Sequence, residues 1–483
     1  MKKWIKKTLC VAMTVVCALG VTSFVSCGGD EEKLTREIYT VQDFLQYVEE
    51  YRDKEHKGTG FGERTIGSFR LMADLDFTGV EYEPLNLQMD FDGNGHALNN
   101  ITINEDEEYY KGSGVIYYGV GIFSSNTGKS VGTIKNLTVN NLLINYTGER
   151  TPVGGLLGYY NGNRHEEKNS DGEEVTLYEP IENVKINGKI NAPNTWYVGG
   201  LVGVAYQGVV KNCEVDVEII GGDRTGGVIG GQQTETLVTQ TEVHNTVNKG
   251  SVNGGKNVGG IMGFYGMFYG CKNDGEIEGK EKVGGIVGQT EYDIKDCTNR
   301  GKVRGTSANK INDGTQGGSI KDGDEHAQVG GIVGAATGNG TLSGCKNIGE
   351  VSAIYDRVGG IAGYCKRDVT DCQNEGKVAG DDHVGGIIGC WDKAGALTNC
   401  KNSGDIDAHV YVGGLIGWIS VRGTANVYCC ENTATVKADV YAAGYVGGSK
   451  ASLDEDALVT NIQSGEIDCN DVERQSETYN KID

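Results

Sequence analysis

The sequence predicts an all-β chain, a right-handed parallel β-helix of about eleven coils with a short N-terminal capping helix. Three observations predict it. First, a cassette V/T-G-G-I/L/V-x-G recurs at Val153, Val198, Thr225, Val258, Val283, Val329, Val358, Val384 and Val412, with looser copies from Val120 and Ala442. From Val198 its starts lie 27, 33, 25, 46, 29, 26 and 28 residues apart, a period in the twenties that marks a solenoid carrying insertions. Second, 77 Gly against 4 Pro excludes collagen and Pro-rich linkers, and 38% apolar residues suit many thin cores better than one thick one. Third, CKNDGEIEG, CTNRGKVRG, CKNIGEVSA, CQNEGKVAG and CKNSGDIDA alternate apolar and polar residues between Asn and Gly, the pattern of short strands and tight turns. No stretch between residues 120 and 450 has an amphipathic helical period, and the crossover rule gives the coil its right hand.

The elements follow in chain order. Residues 1–26 read as a secretory signal: Lys2, Lys3, Lys6 and Lys7 precede the apolar run LCVAMTVVCALGVTSFV. The ending Phe24-Val25-Ser26-Cys27 resembles a bacterial lipobox, with Phe24 where the family usually has Leu, and implies acylation of Cys27. The tether, residues 27–37, begins with Asp30, Glu31 and Glu32 after two glycines and resembles the signal that sends Bacteroidetes lipoproteins to the cell surface. An outer-membrane, cell-surface location is therefore expected, with the membrane reached only through the N-terminal lipid. Removing the four signal lysines takes the formal charge from -22 to -26, which excludes nucleic acid and anionic lipid headgroups as partners.

Residues 38–119 are expected to form an N-terminal cap. In TVQDFLQYVEEYRDKEHKG, Val41, Phe44, Leu45, Val48 and Tyr51 share a helical face that can cover the open end of a solenoid. The DGNGH string at Asp92 to His96 is weighed as a calcium loop and read as a β-turn, because no spaced run of acids accompanies it. Residues 120–450 are the repeats, and 451–483 a C-terminal cap and tail.

Within the repeats, Cys271, Cys297, Cys345, Cys372, Cys400 and Cys430 each stand two residues before Asn273, Asn299, Asn347, Asn374, Asn402 and Asn432. Earlier coils place Leu137, Val184, Cys213 and Thr246 in the same slot. A slot that accepts Leu and Val is an inward core position, so neither metal nor any other cofactor is called for, and the thiols are expected to be mainly reduced. Eleven cysteines remain after Cys27, an odd number that cannot all pair. The asparagines are expected to form a ladder at a turn, with Gly275, Gly301, Gly349, Gly376 and Gly404 at a corner of positive φ. The paired glycines of the cassette lack the following helix of a phosphate loop and read as a close backbone approach.

The cassettes VGGIVG and VGGLIG, preceded by FDGNGHALNNITI and a first GIF copy, resemble the GLUG-motif family of bacterial surface proteins. The resemblance covers about residues 38 to 450. It implies a right-handed β-helix on a secreted or surface protein, often adhesive, sometimes joined to an IgA-type metallopeptidase domain. HEEKN at His165 lacks the second His of a zinc HExxH motif.

Function is expected in binding: an adhesin or recognition scaffold for host matrix protein, mucin or glycan, with no catalytic residues assigned. Insertions at Tyr159 to Pro180 and Gly305 to Gln328 break the period, and long loops on rigid scaffolds often carry function. Trp196, Tyr197, Trp391, Tyr411 and Trp418 are candidate contact aromatics or core and corner residues. Asp381-Asp382-His383 is the nearest approach to a metal or acid/base group. A polysaccharide lyase or hydrolase is the alternative and predicts clustered Asp, Lys or Arg at equal positions of neighbouring coils, which the sequence does not show. A passive stalk of roughly 50 Å, at about 4.8 Å per coil, is the third reading.

Overall fold

The computed structural model describes residues 34–50, 66–87, 89–106, 118–126, 132–168, 171–233, 240–307, 327–354, 357–454, 461–470, 475–476 and 479–481. The signal and Cys27, Tyr51 of the helical face, and most of the second insertion lie outside them. Residues 34–483 form one compact unit.

One coil shows how the sequence builds the fold. Lys272–Asn273, Ile277–Gly279, Glu281–Gly284, Val287–Thr290 and Ile294–Lys295 are short strands. Each pairs in parallel with the next coil: Lys272 with Thr298, Ile277 with Val303, Val283 with Val329, Val287 with Val333 and Ile294 with Leu342. This repeated parallel pairing is a parallel β-helix. Its core is the column of inward residues, of which Cys271, Ile277, Val283, Ile286, Val287 and Ile294 are all buried. The parallel stack extends beyond 120–450 on both sides. Leu34–Ile38 pairs with Ile66–Leu71 and that strand with Asp90–Asp92, while Ile467–Cys469 lies on Val436–Ala443.

The helix, Val41–Glu50, caps the first coils. Thr40 and Asp43 exchange hydrogen bonds at its start: Asp43 N donates to Thr40 Oγ1 at 3.1 Å and Thr40 N to Asp43 Oδ2 at 2.9 Å, a capping box that satisfies two otherwise open donors. Phe44 is buried among the rings of Phe77, Phe91, Phe123 and Tyr82, at 5.5, 5.9, 6.3 and 6.5 Å. At the DGNGH string, Asn94 N donates to Asp92 Oδ1 at 2.9 Å and Asn94 and Gly95 have φ of 51° and 81°, a turn.

The asparagines lie inside the stack. Asn248, Asn273, Asn299, Asn347, Asn374, Asn402 and Asn432 are in register and buried. Each Nδ2 donates to the Oδ1 of the next, at 2.7–2.9 Å, and the run ends where Asn432 donates to Gln463 Oε1. Nδ2 also donates to the carbonyl two residues on, for instance Asn347 to Gly349 O at 2.8 Å. The run starts at Asn248 because Val215 occupies its slot in the coil before. Asn248 Oδ1 is consequently buried without a partner.

This corrects the expectation for Gly275, Gly301, Gly349, Gly376 and Gly404, none of which has positive φ. They are glycines because a Cβ would strike the carbonyl of the coil below: 1.9 Å from Gly250 O at Gly275 and 1.8 Å from Gly275 O at Gly301. The left-handed corner falls just before the cysteine slot instead, at Asn183, Asn212, Asn245, Asp296, Asp371 and Asn399, with φ between 47° and 56°. Asn and Asp tolerate that region better than other side chains.

The ladder makes a directional prediction. Replacing Asn347 by Val removes the donor to Asn374 Oδ1 and Gly349 O and an acceptor of Asn299, leaving three buried polar groups short, so it should lower stability by about 2 kcal/mol or more. Asn248→Val leaves Asn273 Oδ1 and Gly250 O short but removes the already unpartnered Asn248 Oδ1, and should cost markedly less. Denaturant midpoints of the two variants measure the difference; equal losses would contradict a directional chain.

Candidate functional site

Three sets of side chains in the repeats carry chemistry: the cysteine slot, the outer face of the cassette, and the charged rows outside the strands.

The cysteine slot is a column of buried thiols. Lys346 N bonds Cys297 O, Gln373 N bonds Cys345 O and Lys401 N bonds Cys372 O, which keeps the cysteines one coil apart in register. Cys213, Cys271, Cys297, Cys345, Cys372, Cys400 and Cys430 are all buried and unbridged. Burial pushes the Cys213 thiol up to about 12. Cys372 is raised by its thiol neighbours Cys345 and Cys400 and by burial. Such thiols are packing groups rather than nucleophiles. Cys429, by contrast, is exposed.

The outer face of the cassette is a concave elbow. In the coil of Val283, a Cβ on Gly284 would lie 2.1 Å from Val287 O, and one on Gly288 2.6 Å from the Asn257–Val258 backbone of the coil before. The two strands thus fold onto each other on the outside as well as the inside. Gly285 faces inward, where a Cβ would lie 2.4 Å from Asn299 Cγ. Each cassette glycine therefore has its own contact.

Two rows of side chains fill this elbow. One is the residue just before the cassette, with φ of 59° at Tyr197, 53° at Arg224, 55° at Asn257, 52° at Lys282, 22° at Arg357, 55° at His383, 52° at Tyr411 and 60° at Tyr441. Non-glycine residues in that region are strained and need compensation from packing. The other row is the residue after the cassette, including Phe264, Gln289, Tyr364, Cys390 and Trp418. They interlock: Arg224 lies over Tyr197 and Phe264 at 4.9 and 4.7 Å, and Lys282 Nζ bonds Gln289 Oε1 at 2.8 Å. Arg357 lies over Tyr364 at 5.4 Å. His383 stacks on Tyr411 at 5.5 Å, and Tyr411 on Tyr441 at 4.8 Å, beside Trp418.

The elbow revises the aromatic candidates. Tyr197, Tyr411 and Trp418 are buried in it and Trp391 is buried in the main core; of the five only Trp196 is exposed, at 53%. It also revises the Asp381-Asp382-His383 group. His383 turns into the elbow, where burial and the charges of Arg357 and Lys450 hold it down to about 3. Its Nε2 is 3.8 Å from Asp382 Oδ1, and among the described residues no three His, Cys, Asp or Glu side chains are grouped to hold a metal ion.

The third set lies on the outside of the strand that includes Ile277, Val303, Val351, Val378 and Ile406, which are in register. The residues before them, Glu276, Lys302, Glu350, Lys377 and Asp405, therefore alternate in sign up the stack. Charged residues do stand at equal positions of neighbouring coils, contrary to the impression from sequence. Glu276, Glu278, Lys302, Arg304, Glu350 and Ser352 line a surface concavity of about 310 Å³, and Arg304 Nη1 bonds Glu278 Oε2 at 3.3 Å.

The first insertion is an antiparallel hairpin, Asn163–Lys168 with Glu174–Glu179. Tyr159 and Tyr160 belong to the coil and are buried. The second insertion leaves after Gly305, beside the concavity, and returns at the elbow. Sequence reading missed the elbow because the residue before each cassette varies in type; its fixed position before Val or Thr was the available signal.

The GLUG motif family model matches residues 194–220. No match is found among curated proteins. Among solved structures, a chain from Bacteroides ovatus described as a "putative immunoglobulin A1 protease" is 16% identical over 77% of this chain and 76% of its own, with a TM-score of 0.26. Nothing of that protein's activity transfers at this distance.

Two measurements check the chemistry. With the protein from Gly28 on, a thiol-specific chromogenic reagent should find Cys429 fast and the column thiols only on unfolding; Cys429→Ser should abolish the fast phase. His383 is lowered in the folded state, so the unfolded chain binds the extra proton between its ordinary value near 6.5 and about 3. Stability should therefore fall as pH drops from 6.5 toward 4.5, at up to about 1.4 kcal/mol per pH unit. His383→Gln should flatten that part of the profile of denaturant midpoint against pH, and an unchanged slope would contradict a buried neutral imidazole.

Proposed function

We propose that the protein is a surface-displayed lipoprotein, anchored through Cys27, that acts as a non-enzymatic adhesin or recognition scaffold for a host protein or glycan. The observation that carries the reading is the division of labour in the coils. Cysteines, asparagines and cassette glycines are spent on internal stacking, whereas the hairpin Asn163–Glu179 forms its own two-stranded sheet beside the stack, touching it where Tyr178 OH donates to Gln207 Oε1 at 3.1 Å. A rigid parallel stack with polar excursions is a sound frame for recognition. The GLUG motif at 194–220 supports the same reading and spans the exposed Trp196.

A second reading has one observation in its favour. The concavity of Glu276, Glu278, Lys302, Arg304 and Glu350 places acids beside bases on successive coils, the arrangement that a polysaccharide lyase or hydrolase on a β-helix requires.

Both readings meet in one experiment. The protein from Gly28 on is incubated with immobilised matrix proteins, mucins and glycans, and both retained protein and released fragments are recorded. Retention without fragments, lost on deleting residues 163–179 and 306–327, is the expected outcome. Fragment release that Glu350→Gln abolishes would replace the scaffold by the enzyme. No retention and no release would leave the stalk.

A further inference from the structure

The elbow holds a feature that neither packing nor the recognition reading uses. In three successive coils, whose cassettes are in register from Val329 to Val358 to Val384, the residue before the cassette is Gln328, Arg357 and His383. All three carry buried polar atoms with no hydrogen-bond partner: Gln328 Oε1, Arg357 Nε and Nη2, and His383 Nδ1.

Arg357 is the critical one. Its side chain is 1% exposed. Among the described residues no carboxylate is paired with it, and its attractive contact is the Tyr364 ring at 5.4 Å. A guanidinium taken out of water without an anion is costly, by several kcal/mol, and a ring face offsets only part of that. A buried water can satisfy a donor but cannot neutralise the charge. Arg367, the other fully buried arginine, also has an unpartnered Nε, but its Nη1 and Nη2 donate to the carbonyls of Tyr292, Thr290 and Thr337, the first two at 2.7 and 2.8 Å. Arg357 has no such cage.

The identity of the unpartnered atoms narrows the missing group. Nε–H and the outer N–H of Nη2 form one edge of the guanidinium, pointing side by side, and that edge matches the two oxygens of a carboxylate. His383 Nδ1, one coil on, is a ring nitrogen that donates when it carries the proton of the neutral imidazole. The Gln328 amide, one coil back, offers a donor when its oxygen and nitrogen exchange places.

We infer that the elbow at Gln328, Arg357 and His383 is a niche for a single carboxylate group, held side-on by Arg357. The fitting occupant is a small free carboxylate.

The test measures the thermal unfolding midpoint of the protein from Gly28 on, in formate against chloride at constant ionic strength. It compares the wild type, Arg357→Gln and Arg357→Lys. For a free carboxylate, formate at about ten times its Kd should raise the wild-type midpoint by roughly 2 °C in a saturable way. Arg357→Gln should abolish the rise, and Arg357→Lys, which keeps the charge but loses the fork, should reduce it. Arg357→Lys keeps the question open to measurement if Arg357→Gln does not fold. An identical response to formate in the wild type and the Arg357 variants, or none in any of them, would overturn the proposal.

Discussion

The whole structure depends on one constraint: every coil must lie on the next at a single β-spacing, about 4.8 Å, in unbroken register. The asparagine column both follows from that spacing and enforces it. Its amides reach one another because the coils are in register, and each Nδ2 that also holds the carbonyl two residues on ties its own turn to the chain of amides. The cassette answers to the same spacing: at Gly155 and Gly200, before the asparagine run begins, a Cβ would lie 2.2 and 2.3 Å from the carbonyl of the next coil. The second glycine of the pair faces an asparagine amide so closely that a methyl group has no room, and the glycine after each asparagine lies against the carbonyl of the coil below. Insertions are admitted only where they leave these contacts alone, past the outer end of a strand.

The same constraint has a less obvious result on the outside. Because the cassette bends sharply enough for its outer faces to meet, the β-helix has two buried layers, the apolar interior and the elbow. The interior accepts a narrow set of residues. The elbow accepts Tyr, Arg, Asn, Lys, Gln and His at one position, because each coil needs only some side chain long enough to fill the groove and contact its neighbours. Left-handed backbone at residues as bulky as Tyr411 and Tyr441 is tolerated for the same reason: the ring-on-ring stack offsets the strain of holding them there.

This contrast explains what the sequence could and could not convey. The coil period, the inward cysteine slot and the cassette were legible because interior positions repeat in type as well as spacing. The positive φ assigned to Gly275 and its equivalents was misplaced, since a glycine required by a close approach and one required by a left-handed corner look the same in sequence. The aromatics failed for a related reason. Alternation tells which side of a strand faces the main core, but Tyr411 and Trp418 point away from that core and are buried nonetheless. The alternating charges at Glu276, Lys302 and Glu350 were hidden by the insertion after Gly305, which separates neighbours in space by many residues in sequence.

The departures from repetition then become the informative positions. A column of like residues is explained by stacking alone, so the cysteines and asparagines say little about function however conspicuous they are. The longest gap between cassettes, from Val283 to Val329, leaves from the edge of the charged concavity and returns at Gln328, the first of three successive elbow residues with unpartnered polar atoms. In a fold whose interior is so completely accounted for by coil-on-coil contacts, a buried arginine without an anion next to the largest interruption of the repeat is the place where the requirements of stacking no longer explain the residues present.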